Sequence, residues 1–146
     1  MIIIIDTNII ISACLNSRSE LYQILFTTYK NIDFTTPDFT LEEIIHHQDE
    51  ICLRAKKNIV LFQHNLSMLR DNLLILPTAD LSTDNLLEAR KLTYSIDIDD
   101  TIFVAFSIAL DALLWTNDLK LYRALRRKNF TNVIRTKELK LILKGL

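Results

Sequence analysis

The sequence predicts an α/β fold of three layers, α/β/α, around a central, mostly parallel sheet of about five strands, in one domain over residues 1–146. Three observations lead there. Short apolar runs of strand length recur along the chain, amphipathic helical patterns separate them, and the first run is continuously β-branched, as in a strand buried on both faces. With 146 residues, 49% apolar and 24% charged, the chain can bury a real core and is neither disordered nor generally polybasic.

The β-branched run is Ile2 to Ile5, ended by Asp6-Thr7-Asn8. Four further strands are predicted at Ile32 to Thr35, Leu73 to Leu76, Ala112 to Trp115 and Asn132 to Ile134. Between them, Leu21, Ile24 and Leu25 share a helical face, as do Leu41, Ile44 and Ile45, and Ile59, Phe62, Leu66 and Leu69 keep three-and-four spacing. Leu86 to Tyr94, Ile102 to Ala109 and Leu121 to Phe130 suggest three more helices. Two consecutive helical patterns fill residues 38 to 71, so a helical hairpin is expected beside the sheet. Strand-helix alternation implies right-handed crossovers between parallel strands.

Composition excludes several chemistries. The one glycine, Gly145, is next to the last residue, where average usage predicts about ten. A Walker A loop, a dinucleotide-binding turn and a nucleophile elbow all need glycine in mid-chain and cannot exist here. Cys14 and Cys52 have no zinc-site spacing and are expected to be buried free thiols. No apolar run reaches the ~20 residues of a membrane span, and no basic segment precedes the isoleucines, so a cytoplasmic protein is expected. The net charge of −1 conceals a polarity. From residue 119 onward nine bases face one acid, a balance of +8, and the first 118 residues carry −9. Arg123, Arg126 and Arg127 fall within about one turn of one predicted helix, a spacing that suits a phosphate backbone or, equally, a solvated face.

The acids carry the chemistry. Asp6 follows an apolar strand, and carboxyl ends of parallel strands face the ligand crevice, although Asp-Thr-Asn also suits a helix cap. Asp118 repeats this arrangement after Leu113-Leu114-Trp115-Thr116-Asn117. Asp97, Asp99 and Asp100 precede the pattern that begins at Ile102, and three acids exceed what one cap requires. Thr40-Leu41-Glu42-Glu43 reads as a capping box, with Thr40 as cap and Glu43 reaching back. Like charges about 4 Å apart repel by roughly 4 kcal/mol at an effective dielectric near 20, so a converged cluster needs protons or a cation. Oxygen-only donors favour Mg²⁺ or Mn²⁺. His46, His47 and His64 are expected at the surface.

The order and context of these acids resemble the PIN domain, the metal-dependent nuclease fold of the PilT N-terminus and VapC-like toxins. The matching segments are Ile2-Ile3-Ile4-Ile5-Asp6-Thr7-Asn8, Thr40-Leu41-Glu42-Glu43-Ile44, Asp97-Ile98-Asp99-Asp100-Thr101-Ile102-Phe103-Val104-Ala105 and Leu114-Trp115-Thr116-Asn117-Asp118. The resemblance implies a catalytic acidic metal site of Asp6, Glu43, Asp100 and Asp118, with Asp97 as a further ligand and Asn8 and Thr116 supporting it by hydrogen bonds. It implies one or two Mg²⁺ or Mn²⁺ ions and hydrolysis of RNA phosphodiesters by metal-activated water. Lys120, Arg123, Arg126 and Arg127 would then track the RNA backbone. A VapC-like role implies an antitoxin partner and a homodimer. Asp111-Ala112 departs from the family, which often has glycine there, but Asp tolerates a left-handed cap.

Two other functions are compatible with these residues. One is an inactive PIN-like module that binds RNA or protein and uses its acids as caps. The other is a phosphatase-like hydrolase, suggested by the D-x-D-x-T string Asp97-Ile98-Asp99-Asp100-Thr101, which in the haloacid dehalogenase-like family follows an apolar strand.

Overall fold

The computed structural model describes residues 1–145 and has the predicted α/β architecture. Five strands, β1 (Ile2–Ile5), β2 (Asp33–Pro37), β3 (Leu74–Leu76), β4 (Leu113–Trp115) and β5 (Val133–Ile134), form one sheet in the order β3-β2-β1-β4-β5. Every neighbouring pair is parallel. Side chains alternate across the sheet with period two. Ile3, Ile5, Trp115 and Ile134 therefore enter one core, while Ile4, Leu114 and Val133 enter the other.

The first core is covered by α1 (Thr7–Leu15), α2 (Glu20–Phe26), α3 (Asp38–Ala55), α4 (Ile59–Arg70) and α8 (Thr136–Lys144). The second lies under α5 (Thr83–Thr93), α6 (Thr101–Leu110) and α7 (Leu119–Arg127). The helices α3 and α4 are the expected hairpin over residues 38 to 71. Two helices depart from the sequence reading. The chain enters α1 directly after Asp6, where the run Ile9-Ile10-Ile11 continues the apolar content of β1 and hides any helical period. After β5 it forms α8, with Glu138 closing a capping box on the Arg135 backbone.

The start of α3 corrects the capping-box reading of Thr40 and Glu43. The helix begins two residues earlier, at Asp38, behind Pro37. The Asp38 carboxylate is held by the Thr78 hydroxyl and backbone N–H, which keep it below the usual carboxylate range. Thr40 is inside the first turn, fully buried, with no partner for its hydroxyl, and Glu43 is exposed.

Backbone reversals proceed without glycine. Lys56 ends α3 at φ 54°, Asp111 ends α6 at φ 48°, and Asn129 follows α7 at φ 63°, all left-handed. Asp111 is the position at which the sequence suggested such a cap, and its Oδ1 accepts a bond from Asn132 Nδ2 at 2.9 Å. Cys14 and Cys52 are buried free thiols. Among the described residues, no helix is long and apolar enough to cross a membrane.

Candidate functional site

The strand order fixes where a site can form. From β1 the chain crosses to β2 on one side, whereas β4 and β5 lie on the other. The gap between the carboxyl ends of β1 and β4 is therefore the topological switch point, the usual ligand crevice of an open parallel sheet. Ile5 pairs with Trp115, so the next residues, Asp6 and Thr116, emerge side by side there.

Asp6 is only 7% exposed. The Asp6 N–H donates to the Trp115 carbonyl at 3.1 Å, fixing the backbone. Its side chain does not cap α1. Instead, the fully buried Thr116 hydroxyl donates to Asp6 Oδ2 at 2.7 Å and accepts from the Asp118 N–H at 3.1 Å. Burial raises the Asp6 pKa most, Thr116 opposes it, and Asp118 raises it further.

Asp100 reaches the same place from a different element. A 3-10 turn, Ile98–Asp100, leads into α6, and the Asp100 side chain makes no cap bond. Its carboxyl is pushed up to about 7, first by burial and then by Asp6, Asp97, Asp118 and Asp99. Every charge named here is another carboxylate, so these five acids share one region. The turn is anchored by the Asp99 N–H, which donates to Asp97 Oδ1 at 3.0 Å, and by the Asp100 N–H, which donates to the Asp97 carbonyl at 3.1 Å. Behind it, the buried hydroxyls of Thr93 and Thr101 lie 2.7 Å apart. Thr93 donates to the Ala89 carbonyl, so Thr101 donates to Thr93 and ties α5 to the start of α6. The sequence reading missed this tie, because eight residues and a turn separate the two threonines.

The other predicted site residues are more dispersed. Asp118 is exposed, and its Oδ1 caps α7 by accepting from the Lys120 N–H at 3.0 Å and the Leu121 N–H at 3.2 Å. Asn8 is exposed, and it acts on the Asp6 carboxyl through its backbone N–H, which together with that of Thr7 opposes the rise in pKa. With Ile9, Ser12, Asn117 and Asp118 it lines a hollow of about 230 Å³. Glu43 lies on α3 and is not among the charges that act on Asp6 or Asp100. Among the described residues, no three His, Cys, Asp or Glu side chains are already gathered closely enough to hold one ion. His46, His47 and His64 are exposed, as expected. The D-x-D-x-T string follows α5 rather than a strand, which removes the ground for the phosphatase reading.

Of the predicted phosphate-binding bases on α7, Lys120, Arg123 and Arg127 are exposed. Arg126 is occupied. It donates to Glu138 and to the Val133 carbonyl, each at 3.0 Å, and its guanidinium packs over Tyr122.

Comparison with known proteins agrees with the fold. No curated protein matches the chain by sequence. The fold is similar to that of a chain in the crystal structure of VapBC2 from Rickettsia felis bound to a DNA fragment from their promoter. That likeness has a TM-score of 0.68 and 23% identity, and covers 92% of this chain and 97% of that one. It is also similar to a chain in the structure of VapBC-1 from nontypeable Haemophilus influenzae, with a TM-score of 0.60 and 19% identity over 87% of this chain and 94% of that one. The PIN domain model matches residues 4–136, from within β1 to the first residue of α8. With its acids at the switch point and that match along nearly its whole length, the chain belongs to the PIN domain family.

Proposed function

We propose that the protein is a Mg²⁺- or Mn²⁺-dependent endoribonuclease, the toxin of a toxin-antitoxin pair, acting in the cytoplasm. The observation that carries this reading is the Asp100 carboxyl, pushed up to about 7 by burial and by four neighbouring carboxylates. A fold has little reason to bring such charges together unless something positive offsets them. The donor set fits a hard divalent ion, because it is all oxygen with no histidine or cysteine among the neighbours named. Asp6, Asp100 and Asp118 would hold it, with Asp97 next to them and Glu43 brought in by a change of side-chain position.

When bound, one or two such ions would lower the pKa of a water and steady the leaving oxygen of a phosphodiester. The protein's own residues prepare that chemistry. Thr116 engages one oxygen of Asp6 and fixes the orientation of its carboxylate. The Asp118 N–H orients Thr116 in turn. Asp100, whose carboxyl is pushed up to about 7, would give up its proton on taking an ion, so metal binding there is coupled to proton release. Lys120, Arg123 and Arg127 supply positive charge along the helix that starts at Asp118, which favours RNA as the substrate.

Single-stranded RNA should be cut in magnesium or manganese and left intact in excess EDTA. Asp6→Asn or Asp100→Asn should reduce cleavage at least 100-fold with the fold preserved by circular dichroism. Undiminished activity in either variant, or in EDTA, would overturn the reading. The VapBC neighbours are named as two-part assemblies, which supports an antitoxin partner here; a homodimer belongs to the same proposal. A gene for a small protein next to this one, whose product co-purifies with it, is the expected finding. One observation favours a second reading, an RNA-binding module without chemistry: Asp118 already serves as a helix cap and Glu43 stands apart. RNA binding with no metal-dependent product would select it.

A further inference from the structure

A second feature lies beside the carboxylates and is not used by them. Tyr94, just past α5, is 68% exposed. A single exposed ring is ordinary; a cation fixed over this one sets it apart. The Lys128 ammonium sits 4.9 Å from the Tyr94 ring centroid. Lys128 itself is fixed by donating to the Leu92 carbonyl at 2.8 Å and to Ser95 Oγ at 3.2 Å. A cation over the ring restricts its motion, so the ring is held rather than free to turn. Tyr94 also lines an open hollow of about 340 Å³ together with Leu87, Arg90 and Lys91.

The position relates this hollow to the site. Asp97 is three residues further along the chain, so the two Cα atoms are at most about 11 Å apart. From the other side, α7 begins at the Asp118 cap and carries Lys120, Arg123 and Arg127 along one exposed edge, ending next to Lys128. A nine-residue helix is about 14 Å long. Positive charge therefore runs from the carboxylate crevice to the Tyr94 ring.

We propose that Tyr94, braced by Lys128, is a stacking platform for an unpaired nucleobase of the RNA, with Arg90 and Lys91 meeting the adjoining phosphates. An exposed ring flanked by fixed bases is the chemistry by which single strands are gripped, since every base offers a flat face and every linkage a negative charge. The same chemistry selects against duplexes, whose bases are already stacked. The inference rests on the ribonuclease reading and adds to it the residue that grips the unpaired strand.

The test uses the non-cleaving Asp100→Asn protein and fluorescent RNA, as a single strand and as the corresponding duplex, in fluorescence anisotropy. Tyr94→Ala should weaken single-strand binding about tenfold and leave duplex binding unchanged, while Tyr94→Trp should retain it. Equal binding by Tyr94→Ala, or an equal loss for both RNAs, overturns the platform while the ribonuclease reading stands. No RNA binding by the Tyr94 parent overturns both. Sedimentation supplies a further check: a dimeric parent that becomes monomeric on Tyr94→Ala would make this face a contact between copies and overturn the platform.

Discussion

Thr116 and Asp100 divide the residue-scale work of the site. Thr116 supplies order: one hydroxyl orients the most buried carboxylate and is itself oriented by a backbone N–H. Thr116→Val should lower Mn²⁺ affinity about 10- to 100-fold, as loss of groups behind metal ligands does elsewhere, with Thr116→Ser close to the parent in calorimetry. Asp100 stores the repulsion. Its folded pKa is about 7, above the ordinary value near 4. Between those values the folded state holds the proton more tightly than the unfolded chain, so Asp100 lowers metal-free stability as pH rises through that window. In EDTA, Asp100→Asn should match the parent in Tm near pH 4 and exceed it increasingly up to pH 8. A constant difference across that range would refute the assignment. The acids at 6, 97, 100 and 118 could be placed from sequence because each follows a strand or precedes a helix on one sheet edge. The Thr93–Thr101 and Tyr94–Lys128 pairs could not, because they join segments whose proximity only tertiary packing decides.

Among the elements, the strands were legible because the apolar runs are short and end at polar residues or proline. The starts of α1 and α3 were not. In α1, Ile9 to Ile11 blur strand and helix periods, and in α3 the Thr40-to-Glu43 spacing imitates a cap although the helix has already begun at Asp38, behind Pro37. Helix ends show a different economy. Lys56, Asp111 and Asn129 take left-handed backbone without glycine, whereas Gly145 is right-handed at φ −81°. A left-handed non-glycine residue is strained by about 1–2 kcal/mol, while glycine costs about 0.4–1 kcal/mol through the unfolded chain. Lys56→Gly should therefore stabilise the protein by about 0.5–1 kcal/mol in urea unfolding. Asp111→Gly should gain less, since it gives up the bond from Asn132.

Across the whole molecule, the near-neutral total separates into an acidic body and a basic C-terminal region. Attraction of RNA to the basic region and its repulsion by uncompensated carboxylates oppose each other, so divalent ions should strengthen RNA binding as well as permit cleavage. Each phosphate contact on a single strand contributes a slope of about −0.7 in log K against log salt. Arg123→Ala with Arg127→Ala should flatten that slope by about 1.4. Arg126→Ala should leave it nearly unchanged, because Glu138 already neutralises that guanidinium. An Arg126→Ala effect as large as the double replacement would contradict this division of roles.

The parallel sheet also imposes an order in time. Asp6 and Thr116, hydrogen-bonded at the centre of the molecule, are 110 residues apart in sequence. Both neighbours of Asp6 in the crevice, Asp100 and Asp118, are made late, and β4 cannot pair with β1 until it has left the ribosome. A chain still being synthesised therefore has no assembled acid cluster through most of its translation. On the ribonuclease proposal, the chain is inert beside the messenger that encodes it until the segment through Asp118 has emerged, and ribosome-bound chains truncated before residue 118 should leave RNA intact.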